Sequence, residues 1–217
     1  LLGDVAVLGE PTASAVEAGC QGTMRLRVVL VGERAHTARP WTGRNAVHRA
    51  GPLLCAVHET VERRPVLHGC EFREALQVVR IEGGHAGNVV PDRVELTINH
   101  RFAPDRVPAE AEAHVRSLLA PYLEPGDSVE VVDVAPGAMP AADHPIIRAL
   151  VERHGLEVRA KLGWTDVARF AALGVPAVNF GPGDPLVAHT ADEHVDLVHL
   201  ERVYAALVDV VTSPPAG

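Results

Sequence analysis

The chain has 217 residues, of which 47% are hydrophobic and 22% charged, and its formal net charge is −8. This composition is typical of a globular protein, and the length suits one large or two small domains. The acidic balance and the aromatic content of 4% argue against a nucleic-acid partner, and no apolar run approaches the ~20 residues that a membrane span needs.

The sequence favours a reducing compartment. No segment has the pattern of a secretory signal, so the cytosol is the expected location. Cys20, Cys55 and Cys70 are odd in number and form no CxxC pair. We therefore expect reduced cysteines that are mostly buried, with no disulfide framework.

The middle of the chain predicts a ferredoxin-like unit. Four segments alternate apolar and polar residues, as half-buried strands do. They cover residues 23–32, 74–81, 93–102 and 128–134. Apolar residues at helical spacing predict helices over 45–62 and 108–123. The resulting order, βαββαβ, is typical of a four-stranded antiparallel sheet with both helices on one face.

The flanking segments predict a different architecture. An apolar run at residues 1–8 is typical of a buried strand. Beyond residue 135, short strands alternate with helices, an arrangement typical of a parallel α/β sheet. The strands cover 158–162 and 177–180, and the helices cover 146–154, 166–173 and 197–211. We therefore divide the chain into a domain segment 1–22, a ferredoxin-like domain 23–134 and a second segment 135–217 of the first domain.

Two residues follow predicted strands of the α/β part. Glu10 follows the first strand, and His189 lies in a Gly/Pro-rich loop after strand 177–180. Ligands bind open α/β sheets at the carboxyl ends of the strands, and Asp192 or Glu193 could orient His189 as a metal ligand. Position alone favours the structural alternative for Glu10, a polar residue at a strand exit. Two ligands do not complete a catalytic zinc site, which uses three.

Four further residues are candidates, each with a structural alternative. His36 follows the first strand of the ferredoxin-like unit and could instead cap backbone groups. Asn88 lies in a glycine-rich turn, where asparagine tolerates a left-handed backbone. Arg101 could bind a carboxylate or form a surface ion pair. Thr165 could contact a ligand or cap the following helix.

Taken in order, six segments resemble the di-zinc amidohydrolase family of aminoacylases, carboxypeptidases and desuccinylases. They are residues 8–12 (LGEPT), 35–40 (AHTARP), 87–92 (GNVVPD), 99–101 (NHR), 165–166 with 169–170 (TD, RF) and 189–190 with 192–193 (HT, DE). Two more, 17–23 (EAGCQGT) and 181–185 (GPGDP), are most similar to the desuccinylase branch. The resemblance covers nearly the whole chain.

The resemblance implies an α/β fold in which an incomplete zinc-peptidase-like catalytic domain is interrupted by a ferredoxin-like (βαββαβ) lid. It also implies a homodimer through the lid and two zinc (or cobalt) ions in each complete active site. Glu10 and His189 match metal ligands. His36 matches a catalytic residue that reaches the partner subunit's site, where it stabilises the developing oxyanion.

The resemblance further implies a small acidic N-acyl amino acid as substrate. Asn88, Arg101 and Thr165 match substrate-binding positions. The desuccinylase branch implies hydrolysis of N-succinyl-LL-2,6-diaminopimelate to succinate and LL-diaminopimelate. An acetylornithine deacetylase or aminoacylase activity is an alternative, and a non-catalytic dimerisation module is another.

The sequence departs from the family's pattern before Glu10. There the family carries an HxD motif, a bridging aspartate and a Glu-Glu pair, which supply the other metal ligands and the general base. None of these is present in this sequence. We therefore expect a carboxyl-terminal part of such an enzyme, inactive on its own.

Overall fold

The computed structural model describes residues 3–213 and 215, so the first two residues of the predicted apolar run lie outside it. The strands are β1 (Ala6–Leu8), β2 (Val16–Ala18), β3 (Gly22–Val31), β4 (Val66–Leu67), β5 (Cys70–Glu71), β6 (Ala75–Gly83), β7 (Arg93–Phe102), β8 (Ser128–Ala135), β9 (Val158–Ala160) and β10 (Ala177–Asn179). The α-helices are α1 (Ala46–His58), α2 (Pro108–Leu119), α3 (Pro145–His154), α4 (Val167–Ala172) and α5 (Leu197–Thr212).

The ferredoxin-like lid is confirmed. Its sheet has the order β6-β7-β3-β8, and every neighbouring pair is antiparallel. Helices α1 and α2 pack on one face, because every second residue of the central strands is apolar and points toward them. On β3 these inward residues are Met24, Leu26, Val28 and Leu30, each at most 1% exposed. The lid therefore has its own core.

Helix α1 ends four residues before the predicted end at 62. The chain after His58 turns to pair with a later segment, where Phe72 N–H donates to Pro65 O and Glu74 N–H donates to Arg63 O. The short hairpin β4-β5 lies between these bonds, and the sequence analysis missed it. Backbone pairing to a distant segment therefore prevails here over local helical periodicity.

The second sheet has the order β1-β10-β2-β9. Strand β1 pairs parallel with β10, and β2 pairs parallel with β9, but β10 and β2 are antiparallel. The prediction of an all-parallel sheet was wrong, because β2 was not recognised. All three residues of β2 are buried, so it has no alternating pattern.

The two sheets have separate cores and meet where the chain crosses between them. A backbone bridge joins Cys20 to Ala138 at this crossing. A Cβ at Gly22 would overlap the ring of Phe102, so the close approach requires glycine. The domain boundaries at 22 and 134 stay a prediction. Among the described helices, none is long and apolar enough to cross a membrane.

The cysteines differ from one another in burial. Cys20 and Cys70 are buried, whereas Cys55 is exposed on α1. All three are free thiols, and burial raises the pKa of both buried ones. The expectation that the cysteines are mostly buried is therefore confirmed for Cys20 and Cys70 and is wrong for Cys55.

A buried ion pair fastens α1 to the end of β3. Arg49 donates from Nη1 and Nη2 to the two carboxylate oxygens of Asp127, at 2.8 and 2.6 Å. The carboxylate also accepts from Val31 N–H and Glu124 N–H, at 2.9 and 2.8 Å. The side chains are 9% and 0% exposed. The carboxylate of Asp127 therefore connects α1, the end of β3 and the turn before β8.

We predict that Asp127→Ala lowers the free energy of unfolding by about 3 to 5 kcal/mol, because the buried guanidinium of Arg49 loses its bidentate carboxylate and keeps only Val31 O and a 3.6 Å contact with Glu124. The matched control is Glu130→Ala, which removes the exposed partner of Arg27 and should cost at most ~1 kcal/mol. Urea denaturation followed by circular dichroism measures both. Equal losses for the two variants would contradict the assignment.

Candidate functional site

The loops that follow β1 and β10 are bound to each other. Because the two strands are parallel neighbours, both loops leave the same edge of the sheet. Thr12 Oγ1 donates to Gly181 O at 3.0 Å and accepts from Gly181 N–H at 3.1 Å. A Cβ at Gly181 would overlap the carbonyl oxygen of Glu10. The backbone of Glu10 is therefore fixed against the loop that leads to His189.

Glu10 lies two residues after β1, and His189 lies in the loop that leaves β10, ten residues after the strand; both side chains are exposed. His189 has a positive φ of 65°, and its backbone N–H donates to Glu193 Oε2 at 3.1 Å. The contact that the structure shows for Glu193 is with the backbone of His189, whereas the sequence analysis suggested that it orients the ring. A carboxylate and an imidazole suit zinc or cobalt. Among the described residues, no group of three or more metal-ligating side chains forms a site.

His36 and Asn88 are brought together on the lid. A backbone bridge joins His36 to Val89, and Thr37 N–H donates to Asn88 O at 3.1 Å. His36 Nδ1 accepts from Ala38 N–H at 3.0 Å, so the backbone-capping alternative for His36 is found. In the neutral ring the proton then lies on Nε2. Asn88 does not have the left-handed backbone of the structural alternative. Both side chains are exposed, and His36 presents an N–H donor to solvent.

Arg101 lines a pocket of about 300 Å³ between the lid and the α/β part. Thr23, Asn99 and Trp164 line the same pocket. The guanidinium of Arg101 has no hydrogen-bond acceptor and no ion-pair partner among the described residues. The neighbouring Arg25, by contrast, is paired with an aspartate at 2.6 Å. The surface ion pair considered for Arg101 is therefore not found, and its donors are available to a ligand.

Thr165 follows the tryptophan wall of this pocket. Trp164 is held by a hydrogen bond from Nε1 to Pro136 O at 3.1 Å and by the guanidinium of Arg169, 5.6 Å from its ring centre. Thr165 is 7% exposed, and its Oγ1 has no hydrogen-bond partner within the described part of the chain. The residue at the start of α4 is Asp166, and no side chain caps this helix. The capping alternative for Thr165 is therefore not found.

The predicted site residues form groups at opposite ends of the lid. Arg101 pairs with Thr23 at one end of the β3-β7 ladder, and Arg93 pairs with Val31 at the other. Eight residues separate the two ends along β3, which is roughly 27 Å at ~3.4 Å per residue. His36 follows the Val31 end. Within one chain, the structure does not bring His36 and Arg101 together.

Sequence reasoning missed five residues of the Arg101 pocket, two of which, Arg25 and Asp133, form an ion pair with each other. Asn99 carries a signal that could have found it, because it lies two residues before Arg101 and so shares its face of β7. Thr23 is the register partner of Arg101 on β3, which follows only once the pairing is known. Trp164 lies in the connection between β9 and α4, outside the lid, and no local sequence pattern predicts that it lies beside Arg101.

Comparison with known proteins identifies the lid. Residues 19–127 match the model of a peptidase dimerisation domain, M20_dimer. A protein of Mycobacterium tuberculosis that carries the name succinyl-diaminopimelate desuccinylase DapE is 52% identical over 90% of this chain and 54% of its own length. A succinyl-diaminopimelate desuccinylase of Corynebacterium glutamicum is 43% identical over 95% of this chain and 56% of its own length.

The fold has close structural counterparts. The crystal structure of a tripeptidase from Staphylococcus aureus matches 97% of this chain and 57% of its own, with a TM-score of 0.76 and 20% identity. The chain thus spans about half the length of the relatives that it matches.

We predict that Thr165→Val leaves the free energy of unfolding unchanged or raises it, because the lost hydroxyl has no partner in the described structure. The matched control is Thr12→Val at another buried threonine, whose hydroxyl bonds both Gly181 and Ala15. It should cost about 1 to 3 kcal/mol. Thermal and urea denaturation compare the two. A larger loss of unfolding free energy in Thr165→Val than in Thr12→Val would mean that the Thr165 hydroxyl already has a hydrogen-bond partner.

Proposed function

Because the chain belongs to the M20 peptidase family, as its dimerisation domain shows, we propose that it is the carboxyl-terminal part of a metal-dependent amide hydrolase. The proposed substrate is N-succinyl-LL-2,6-diaminopimelate, which is cleaved to succinate and LL-diaminopimelate. Similarity to two proteins named for this activity supports the substrate. The observation that carries the proposal is the Arg101 guanidinium, which lines a pocket and has no partner among the described residues.

The pocket suits a substrate that carries several carboxylates. The planar guanidinium of Arg101 can bind one carboxylate through two parallel hydrogen bonds. Asn99 and Thr23 add neutral hydrogen-bonding groups beside it, and Trp164 supplies an apolar wall. Thr165 does not line the pocket; its buried hydroxyl has no partner among the described residues and lies directly after Trp164 in the chain, so its part in substrate binding is proposed from the resemblance alone. These contacts would position the amide bond for cleavage.

The metal ligands that this chain offers are Glu10 and His189. Their donor types suit zinc or cobalt, and bound metal ions of this kind polarise an amide carbonyl. Since the described residues provide no group of three ligating side chains, and the chain spans about half the length of its relatives, we propose that the remaining ligands and the general base come from an amino-terminal part.

The same amino-terminal part would cover an apolar face of α5. Five large apolar side chains at helical spacing on this helix are at least 42% exposed, which is unusual for one face of a helix. They are Leu197, Leu200, Tyr204, Val208 and Val211. We propose that packing against this face completes the catalytic domain.

His36 would act in the active site of a second copy. Its Nε2–H is exposed and rigidly held, which suits donation to an oxyanion that forms in the transition state. The length of β3 separates His36 from Arg101 in the same chain, so a second chain is needed to bring them together. A dimerisation domain supports this arrangement.

We predict that the 217-residue chain alone does not hydrolyse N-succinyl-LL-2,6-diaminopimelate. Fusion to the amino-terminal part of its 52% identical relative should create zinc-dependent activity, because the missing ligands are then supplied. Glu10→Gln and His189→Ala in the fusion should each abolish it. Release of succinate measures the reaction. Glu112→Gln, which removes an exposed ion pair with Arg116 on α2, is the control and should retain activity.

We further predict that His36→Ala and Glu10→Gln fusions, each inactive alone, regain activity when they are dissociated and reassociated together. The expected level is about a quarter of that of the unmodified fusion, since half of randomly paired dimers are mixed and each mixed dimer has one intact site. If His36 acts within its own chain, the mixture stays inactive, and the proposed dimeric site is wrong.

A further inference from the structure

A cavity of about 220 Å³ lies on the helix-covered side of the lid, away from the Arg101 pocket. It opens between the end of α1, the start of β6, the end of β7 and the start of α2. His100 points into it because it occupies an inward position on β7, whereas the next residue, Arg101, points to the opposite face. The volume corresponds to about seven water molecules at ~30 Å³ each, enough for a small organic molecule.

His100 is a buried polar residue without a partner. It is 2% exposed, and Nδ1 has no hydrogen bond within the described part of the chain. The ring lies between those of Phe102 and His114, with centroids 5.6 and 5.9 Å away. Burial lowers the pKa of His100 to about 4, so the imidazole is neutral at pH 7. A buried neutral imidazole without hydrogen bonds is costly unless a bound molecule supplies them.

Glu74 brings a negative charge to the cavity wall and is 7% exposed. Its described contacts all involve Oε1, which accepts from Arg63 Nη1 at 3.0 Å and from Ala103 N–H at 3.1 Å, and lies 3.4 Å from Arg106 Nε. Oε2 takes part in none of these contacts. One carboxylate oxygen therefore remains available to a ligand.

Arg106 brings a positive charge to the same wall. Its side chain is 20% exposed, and its described contact is the one from Nε to Glu74. The Nη groups have no acceptor among the described residues. Arg63 differs, because Asp105 occupies its guanidinium. The cavity thus offers a guanidinium, a carboxylate oxygen and an imidazole, all without full partners.

We propose that this cavity binds a small zwitterion, an α-amino acid. The Nη groups of Arg106 bind the ligand's carboxylate, and Glu74 Oε2 accepts from its ammonium group. His100 completes the site as a neutral hydrogen-bonding group, and His114 lies at its mouth. A metal ion fits less well, because Arg63 and Arg106 place positive charge around the imidazoles and no three-ligand group is present among the described residues. The inference does not depend on the proposed hydrolysis.

Isothermal titration of the 217-residue chain with L-alanine tests the proposal. We expect saturable binding at one site per chain. N-acetyl-L-alanine lacks the ammonium group and L-alaninamide lacks the carboxylate, so each should bind at least about tenfold more weakly, a difference of ~1.4 kcal/mol. Absence of L-alanine binding up to ~10 mM, far weaker than the ~1 mM affinity that corresponds to −4.1 kcal/mol, would overturn the proposal, as would equal binding of all three compounds.

Two variants locate the binding. Arg106→Gln and His114→Gln should weaken L-alanine binding, the former by at least about tenfold. The control is Arg116→Gln on α2, which removes an exposed pair with Glu112 and should leave binding unchanged. Unfolding midpoints show whether each variant is folded. If Arg106→Gln is unfolded, His114→Gln at the exposed mouth still reports on the cavity. Unchanged binding in a folded Arg106→Gln variant would contradict the assignment.

Discussion

The length and register of the β3-β7 ladder set the positions of the functional groups. Ten paired residues hold Arg101 at one end and fix the loop of His36 beyond the other. Backbone hydrogen bonds make this spacing rigid, because a shift by one residue would turn every apolar side chain of the strand away from the helices. The spacing therefore keeps the two proposed half-sites apart within one chain, which is the physical reason to propose a dimeric active site.

Because side chains alternate along β7, successive residues near its carboxyl end line two different cavities. Asn99 and Arg101 face the pocket beside Trp164, whereas His100 faces the cavity under the helices. In both places a charged or polar group lacks its partner among the described residues. Evolution rarely leaves buried polar groups unsatisfied unless a ligand, water or function accounts for them. The proposed substrate contacts and the proposed amino-acid site both follow from this rule.

Much of the fold was predictable because periodicity is a local property. The predicted strand 93–102 coincides with β7, and the order βαββαβ is confirmed. Strand β2 was missed because its three residues are all buried and so do not alternate. Its absence from the prediction led to the wrong expectation of an all-parallel sheet. The end of α1 was misplaced because the chain after His58 leads into a hairpin in which Arg63 and Pro65 accept from residues 7 to 11 positions later, a pairing that helical periodicity does not reveal.

For the candidate site too, some features follow from the sequence and others only from the three-dimensional structure. The positions of Glu10 and His189 after neighbouring strands followed from sequence order, since parallel strands end at one edge. The free guanidinium of Arg101 and the orphaned hydroxyl of Thr165 did not, because partners are a property of three-dimensional packing. The sequence predicted that this chain lacks further metal ligands. The roles of Glu10 and His189 as metal ligands stay a prediction.

Distance measurement between spin labels tests the two-chain site most directly. Labels at Thr37→Cys and Asp166→Cys, in a Cys55→Ala background that removes the exposed native thiol, mark the two half-sites. In mixed dimers, one copy carries the label at Thr37→Cys and the other carries it at Asp166→Cys. Double electron–electron resonance then measures the distance between the two chains' labels. We predict that it is shorter than the distance within a doubly labelled chain, in which the labelled residues follow groups at opposite ends of the β3-β7 ladder. Absence of coupling between copies, or a longer distance between them than within one chain, would contradict the account.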